Sequence, residues 1–194
     1  PFSLNNVQQA YYLGRYASFE LGNISTHSYS EHKFTKLDLK RLETALNHAI
    51  KRHPGLRAIF KDGQQQYLVE VPDYRVKYLE FTNCEDFYQL RESLSHKIYV
   101  THEYPLFDFI VSKCLFSDEE PHYILHISFD ILLMDGNSAR LLYDELTSLY
   151  HSSDLQLPAL TVSYRDYIIQ MEKIRASDLF IKDREYWLNK LPDY

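Results

Sequence analysis

Two apolar runs, "PLFDFIVSKCLF" (105–116) and "HYILHISFD" (122–130), flank the polar stretch "SDEEP". Neither run can be left in water, and a polar break of this length between strand-forming segments predicts a long antiparallel hairpin. In the second run, alternation puts Tyr123, Leu125, Ile127 and Phe129 on one face. Ile124, His126, Ser128 and Asp130 share the other. Because Ile124 joins the polar set, both faces are partly apolar, and the segment reads as a central strand. Asp130 then sits at its carboxyl end, where sheet proteins tend to place ligands.

The strand leads into "ILLM" and then "DGNSARLLYDELTSLY". Leu142, Leu146 and Leu149 give the latter a helical stripe. Asp135 is a good N-cap for it, with Ser138 at the third helical position. One reading needs no chemistry: Asp130 ends a strand, Asp135 caps a helix and "ILLM" is a buried crossover. Against it, two carboxylates beside an apolar loop cost several kcal/mol unless each finds a donor. A cation is expected close by, and Arg57 in "RHPGLRAIF" is the candidate, with a solvated surface arginine as the alternative.

The rest of the chain mixes helices and strands. "LNNVQQAYYLGR" (4–15) reads as a short helix capped by Asn5 or Asn6, and "HSYSEHKF" (27–34) as a strand. Leu39, Leu42, Leu46 and Ile50 mark an amphipathic helix, capped by Thr35 or Asp38 and stopped by Pro54 and Gly55. Strand candidates come next at 56–60, 66–71 and 75–81, with "KDGQQ" as a turn between the first two, and then a helix within 84–100. Helices are expected at 136–150, 161–175 and 177–190. The predicted class is α/β, a mixed sheet in a two-layer sandwich with helices packed on one face.

At 194 residues, 45% of them hydrophobic, the chain has ample apolar content for a core. Its net charge of −6 with scattered basic residues excludes a nucleic-acid footprint. Seventeen tyrosines fit a tyrosine-rich core, or a partner surface. Cys84 and Cys114 form no disulfide framework, which points to a reducing, cytoplasmic protein. No apolar run approaches a membrane span, and the start at Pro1 reads as a piece of something longer.

Other constellations carry less. His122 and His126 are four apart, about 13 Å on a strand and too far for one metal. His126, Ser128 and Asp130 have the cast of a triad, but strand neighbours two apart stand nearly 7 Å from each other. His126 stays open as a lone acid or base, or as a hydrogen-bonded sheet histidine. Neither glycine-rich phosphate motif occurs.

Three stretches, in order, resemble the heterocyclization domains of nonribosomal peptide synthetases. "PFSLNNVQQAYYLGR" is similar to FPLTxxQxAYxxGR through Phe2, Leu4, Gln8, Ala10, Tyr11, Gly14 and Arg15, departing at Ser3 and Asn5. "RHPGLRAIF" is similar to RHPxLRAxF, and "DILLMDGNS" to DxxxxDxxS through Asp130, Asp135 and Ser138. Ordinary condensation domains carry HHxxxDG at this loop; here Asp130 and Ile131 stand where the histidines would be.

The resemblance implies the N-terminal half (1–194) of a two-lobed, chloramphenicol acetyltransferase-like fold, with the C-terminal lobe absent. It implies joining a carrier-bound acyl thioester to the amine of carrier-bound Cys, Ser or Thr, then cyclodehydration to a thiazoline or oxazoline, as in siderophores. It places Asp130 and Ser138 in a tunnel between the lobes and pairs Asp135 with Arg57, while His126 and Ser128 support the site. No cofactor is bound directly; the phosphopantetheine arms belong to carrier-protein partners, and an adenylation domain is adjacent. The alternatives are a lobe that docks carriers without chemistry, and an ordinary condensation domain with a degenerate motif.

Overall fold

The computed structural model describes residues 1–15, 25–116, 120–152 and 154–191. Residues 117–119 of the polar break therefore lie outside the described residues, while both predicted hairpin strands are present. They form β6 (Phe107–Cys114) and β7 (His122–Asp130), paired antiparallel. With β2 (His27–Phe34) and β5 (Lys77–Phe81) they make a four-stranded sheet in the order β2-β7-β6-β5. β7 is central, as its two-sided apolar pattern required. β5 runs parallel to β6, so the sheet is mixed.

Two helices cover one face. α2 (Leu39–Arg52) contributes Leu42, Leu46 and Ile50, and α4 (Gly136–His151) contributes Leu142, Leu146 and Leu149. They pack on Phe107, Phe109 and Val111 of β6 and on Leu125, Ile127 and Phe129 of β7. The opposite face is covered in part by α3 (Cys84–Ser95), whose Phe87 packs against Cys114 and Ile124. The sequence predicts helices on one face only; α2 and α4 cover that face, and α3 corrects the expectation by packing on the other.

A second, three-stranded sheet joins β1 (Phe2–Ser3), β4 (Gln64–Tyr67) and β3 (Ala58–Lys61) in the order β1-β4-β3. Asp62 and Gly63 both have positive φ, 52° and 70°, which a two-residue hairpin turn requires. The expected strands at 56–60 and 66–71 are shifted. Residues Pro54–Arg57 form a 3-10 turn, and β4 ends at Tyr67. Arg57 donates to the carbonyls of Leu68 and Val69, both at 2.7 Å, and of Ile50 at 3.1 Å, tying the 3-10 turn to the end of β4 and to α2.

Helix starts obey the capping chemistry. Asn5 caps α1 (Asn6–Leu13) in a reciprocal capping box with Gln8, and Asp38 caps α2. The carboxyl end of the chain adds α5 (Tyr164–Arg175) and α6 (Asp178–Lys190). No helix among the described residues is long and apolar enough to cross a membrane.

Asp135 caps α4, its Oδ1 accepting from the Ser138 N–H at 2.8 Å. Among the described residues no ion pair joins it to Arg57, so the expected pair is corrected: each group has found backbone partners instead. Replacing Asp135 with Ala should cost about 0.5–2 kcal/mol of stability in urea unfolding, and Asp135→Asn should recover most of it. An Ala variant unfolding like the parent would refute the cap.

Candidate functional site

The polar row of β7, His126, Ser128 and Asp130, is buried, with each residue no more than 1% exposed. A buried polar side chain must find partners, and each of these has its own set.

His126 is held between two strands. Glu31 accepts from the Tyr29 hydroxyl at 2.5 Å and from Arg91 Nε at 2.6 Å. Tyr29 has spent its proton on Glu31, so at its 2.7 Å contact with His126 Nδ1 the imidazole donates. Nε2 then accepts from the Ser112 hydroxyl at 2.7 Å. Burial pushes the His126 pKa down to about 4, with Arg91 adding to this and Glu31 opposing it. The imidazole is therefore neutral at physiological pH, with both ring nitrogens hydrogen-bonded inside the protein.

Ser128 joins a second network. Tyr99 donates to Asp108 at 2.9 Å, and Lys97 also contacts that carboxylate. With its proton so used, Tyr99 accepts from the Ser128 hydroxyl at 2.8 Å. His27 Nε2 lies 3.1 Å from the same hydroxyl. The register explains the grouping, because Asp108 and Tyr29 are the cross-strand neighbours of Ser128, and His27 is that of Asp130.

Asp130 has no exposed side-chain surface and pairs with Arg15, which is 12% exposed. Its Oδ1 also accepts from the Leu132 N–H at 3.0 Å. Burial pushes the carboxyl up from its ordinary range, and Arg15 and the Leu132 amide pull it back. Two further bonds fix the loop: Ile131 N–H to the Thr26 carbonyl at 3.1 Å, and Leu133 N–H to the Asp130 carbonyl at 3.0 Å. The cation expected beside these carboxylates is therefore Arg15, not Arg57. The "GR" that closes the first motif was the signal for it.

Beside the loop lies a cleft of about 480 Å³. Its walls come from α1, the 3-10 turn, β3 and β4, loop residues Ile131–Asp135, the start of α4 and the segment leading into α5, with Gln8 and Gln65 among the lining. Asp135 and Ser138 line it, while Asp130, His126, Ser128 and Arg57 do not. The Ser138 amide and hydroxyl hold the Asp135 carboxyl below its usual range. Of the six residues singled out from sequence, two reach the cleft, three form the buried row behind the loop, and Arg57 braces backbone. Sequence reasoning missed Tyr29, Glu31, Arg91 and Ser112 around His126, since nothing in strand spacing names cross-strand partners.

The buried imidazole has a pH consequence. Between pH 6.5 and about 4 the unfolded chain takes up a proton that folded His126 refuses, so stability falls as pH falls through that window. The size is on the order of 3 kcal/mol. His126→Gln should be less stable than the parent at pH 7 yet lose this part of the acid slope. Urea titrations of both proteins across the window decide it; parallel slopes would contradict the assignment.

With this geometry in view, the likenesses to known proteins are informative. The family model "Condensation domain" matches residues 3–193. Bacitracin synthase 1 of Bacillus licheniformis is 33% identical over 201 residues, covering 100% of this chain and 4% of that protein. Pyochelin synthetase PchE of Pseudomonas aeruginosa is 33% identical over 200 residues, 99% of this chain and 13% of its own length. The cyclization-docking bidomain of the EpoB nonribosomal peptide synthetase from Sorangium cellulosum superposes with a TM-score of 0.88 at 28% identity, covering 99% of this chain and 39% of that one. This chain thus spans a small part of the curated relatives it matches. A family match over nearly every residue, carried on the same fold, means that the chain belongs to the condensation-domain family.

Proposed function

We propose that residues 1–194 are the N-terminal lobe of a heterocyclization domain. Completed by a second lobe, it condenses a carrier-bound acyl thioester with carrier-bound Cys, Ser or Thr and closes the side chain to a thiazoline or oxazoline. The observation that carries this reading is the strand end: a buried carboxylate, paired with Arg15, stands where amide-forming members have an imidazole. The loop beyond it offers Asp135 and Ser138 to the cleft and no histidine. The likeness to the EpoB cyclization domain supports the ring-closing branch over the amide-forming one.

In this reading the loop residues divide the work. Asp135, kept ionised, and the Ser138 hydroxyl accept and donate at the cleft, orienting the acceptor's amine and departing oxygen. Asp130 acts from behind as a positioning residue. Holding amine and thioester together contributes roughly 7–11 kcal/mol of the first barrier. Carrier proteins bring the reactants on phosphopantetheine arms, with an adenylation domain next to them, in a reducing cytoplasm where Cys84 and Cys114 stay free.

The second lobe has a place to rest. None of the residues of α6 is buried, and Leu179 (69% exposed), Trp187 (63%) and Leu191 just beyond it (64%) stand in the open. So much bare apolar surface on one short helix marks an interface. Adding a cyclization-domain C-terminal lobe should shift the fluorescence of Trp187, the one tryptophan of the chain, to the blue; an unchanged spectrum with both proteins in excess would count against this interface.

The activity itself is tested by joining this chain to such a lobe and supplying an acyl-loaded donor carrier and a cysteine-loaded acceptor carrier. Mass spectrometry should find the condensed product less one water, and none from the chain alone. Condensed but unclosed product would transfer the assignment to an ordinary condensation domain. Carrier binding without any product would make it a docking lobe.

A further inference from the structure

The loop after β7 is gripped at both ends of one residue. Asp130 takes the Leu132 N–H, and the Leu132 carbonyl accepts from Gln8 Nε2 on α1 at 2.9 Å. Gln8 is 8% exposed and Gln65 on β4 is 2% exposed, and both line the cleft. The two amides face each other. Gln8 Nε2 donates to Gln65 Oε1 at 3.3 Å, and Gln65 Nε2 donates back to Gln8 Oε1 at 3.1 Å.

The remaining bonds fix how both amides point. Gln65 Nε2 also donates to the Ser3 carbonyl at 2.8 Å. Gln8 Oε1 accepts from the Asn5 N–H at 3.1 Å and from the Tyr164 hydroxyl at 3.3 Å. All four amide protons are used. Turning Gln8 over would set its oxygen against the Leu132 carbonyl; turning Gln65 would set its oxygen against that of Ser3.

A pair of leucines would keep the bulk of this pair but leave the Leu132 and Ser3 carbonyls without their donors and the Asn5 N–H without its acceptor. We propose that Gln8, braced in one orientation by Gln65, is a positioning residue for the reaction. It holds the cleft wall 131–135 so that Asp135 and Ser138 meet the carrier-bound substrates at a fixed place. The inference rests on the reaction proposed above, but the order of the loop can be measured without it.

The test uses Gln8→Leu, Gln65→Leu, the double variant and Gln8→Glu, which keeps the size of Gln8 and removes both donors. Hydrogen exchange of the chain tracks the amides of 131–134 against those of β6 and β7, while the completed two-lobed domain gives kcat and KM. Each single leucine variant should lower Tm, and the double variant should lose less than the two single losses added together, because the Gln8–Gln65 bonds are shared. Loop exchange should stay about tenfold faster or more in the double variant and in Gln8→Glu, with the sheet unchanged. A displaced wall should lower kcat by about 10–100-fold with KM within about twofold. The proposal is overturned if either variant keeps parental loop exchange, or if the double variant keeps parental kcat, for the pair would then be packing alone. A parent domain that makes no product would fail the proposed reaction, while the exchange result would still judge the loop.

Discussion

At the end of β7 a carboxylate without exposed surface lies against a guanidinium, and much else is arranged around that contact. Neither ion could stay there alone, because an unpaired buried charge costs several kcal/mol. Together they anchor the carboxyl end of α1 to the end of the central strand. The second oxygen of the carboxylate is then free to hold Leu132 and start the loop. A histidine at this position could not do both, since it has no second acceptor to offer while paired with a cation. Replacing imidazole by carboxylate therefore changes the architecture of the loop as well as its proton chemistry.

The buried row of β7 shows how a central strand manages polarity. One face of the sheet is a plain apolar core under α2 and α4. The other carries His126, Ser128 and Asp130, each partnered by residues reaching over from β2, β6, the segment before β6 or the residues just after α1. Networks of this kind rigidify a strand and define its register, because a slip of one residue would separate most donors from their acceptors. The site thus rests on a platform that resists deformation, while the cleft is built from the loop, helix start and turn around it.

Much of this was legible in the sequence, and the limits have physical causes. Alternation in "HYILHISFD" announced a central strand, and Asp135 announced a helix cap, because both signals are local. The motif residues marked the loop that lines the cleft. Arg57 was assigned to the wrong partner because spacing along a chain says nothing about which distant carbonyls a guanidinium will find. β4 is also shorter than its apolar run. Arg15 was in plain view at the end of the first motif, but only the packing of α1 on the sheet makes it the counter-ion of Asp130. The role of Asp130 changed for a related reason: strand periodicity puts it at the ligand-binding end, yet cannot say whether its side chain looks outward or back into the protein.

Gln8 occupies the third position of the α1 capping box while its other end grips the loop. One side chain is therefore shared between the nucleating turn of the first helix and the wall of the cleft. The two belong to a single cooperative unit of local opening, and neither can fray without loosening the other. A pull on the amino-terminal turn would be felt at residues 131–135 directly, by a route that bypasses the sheet.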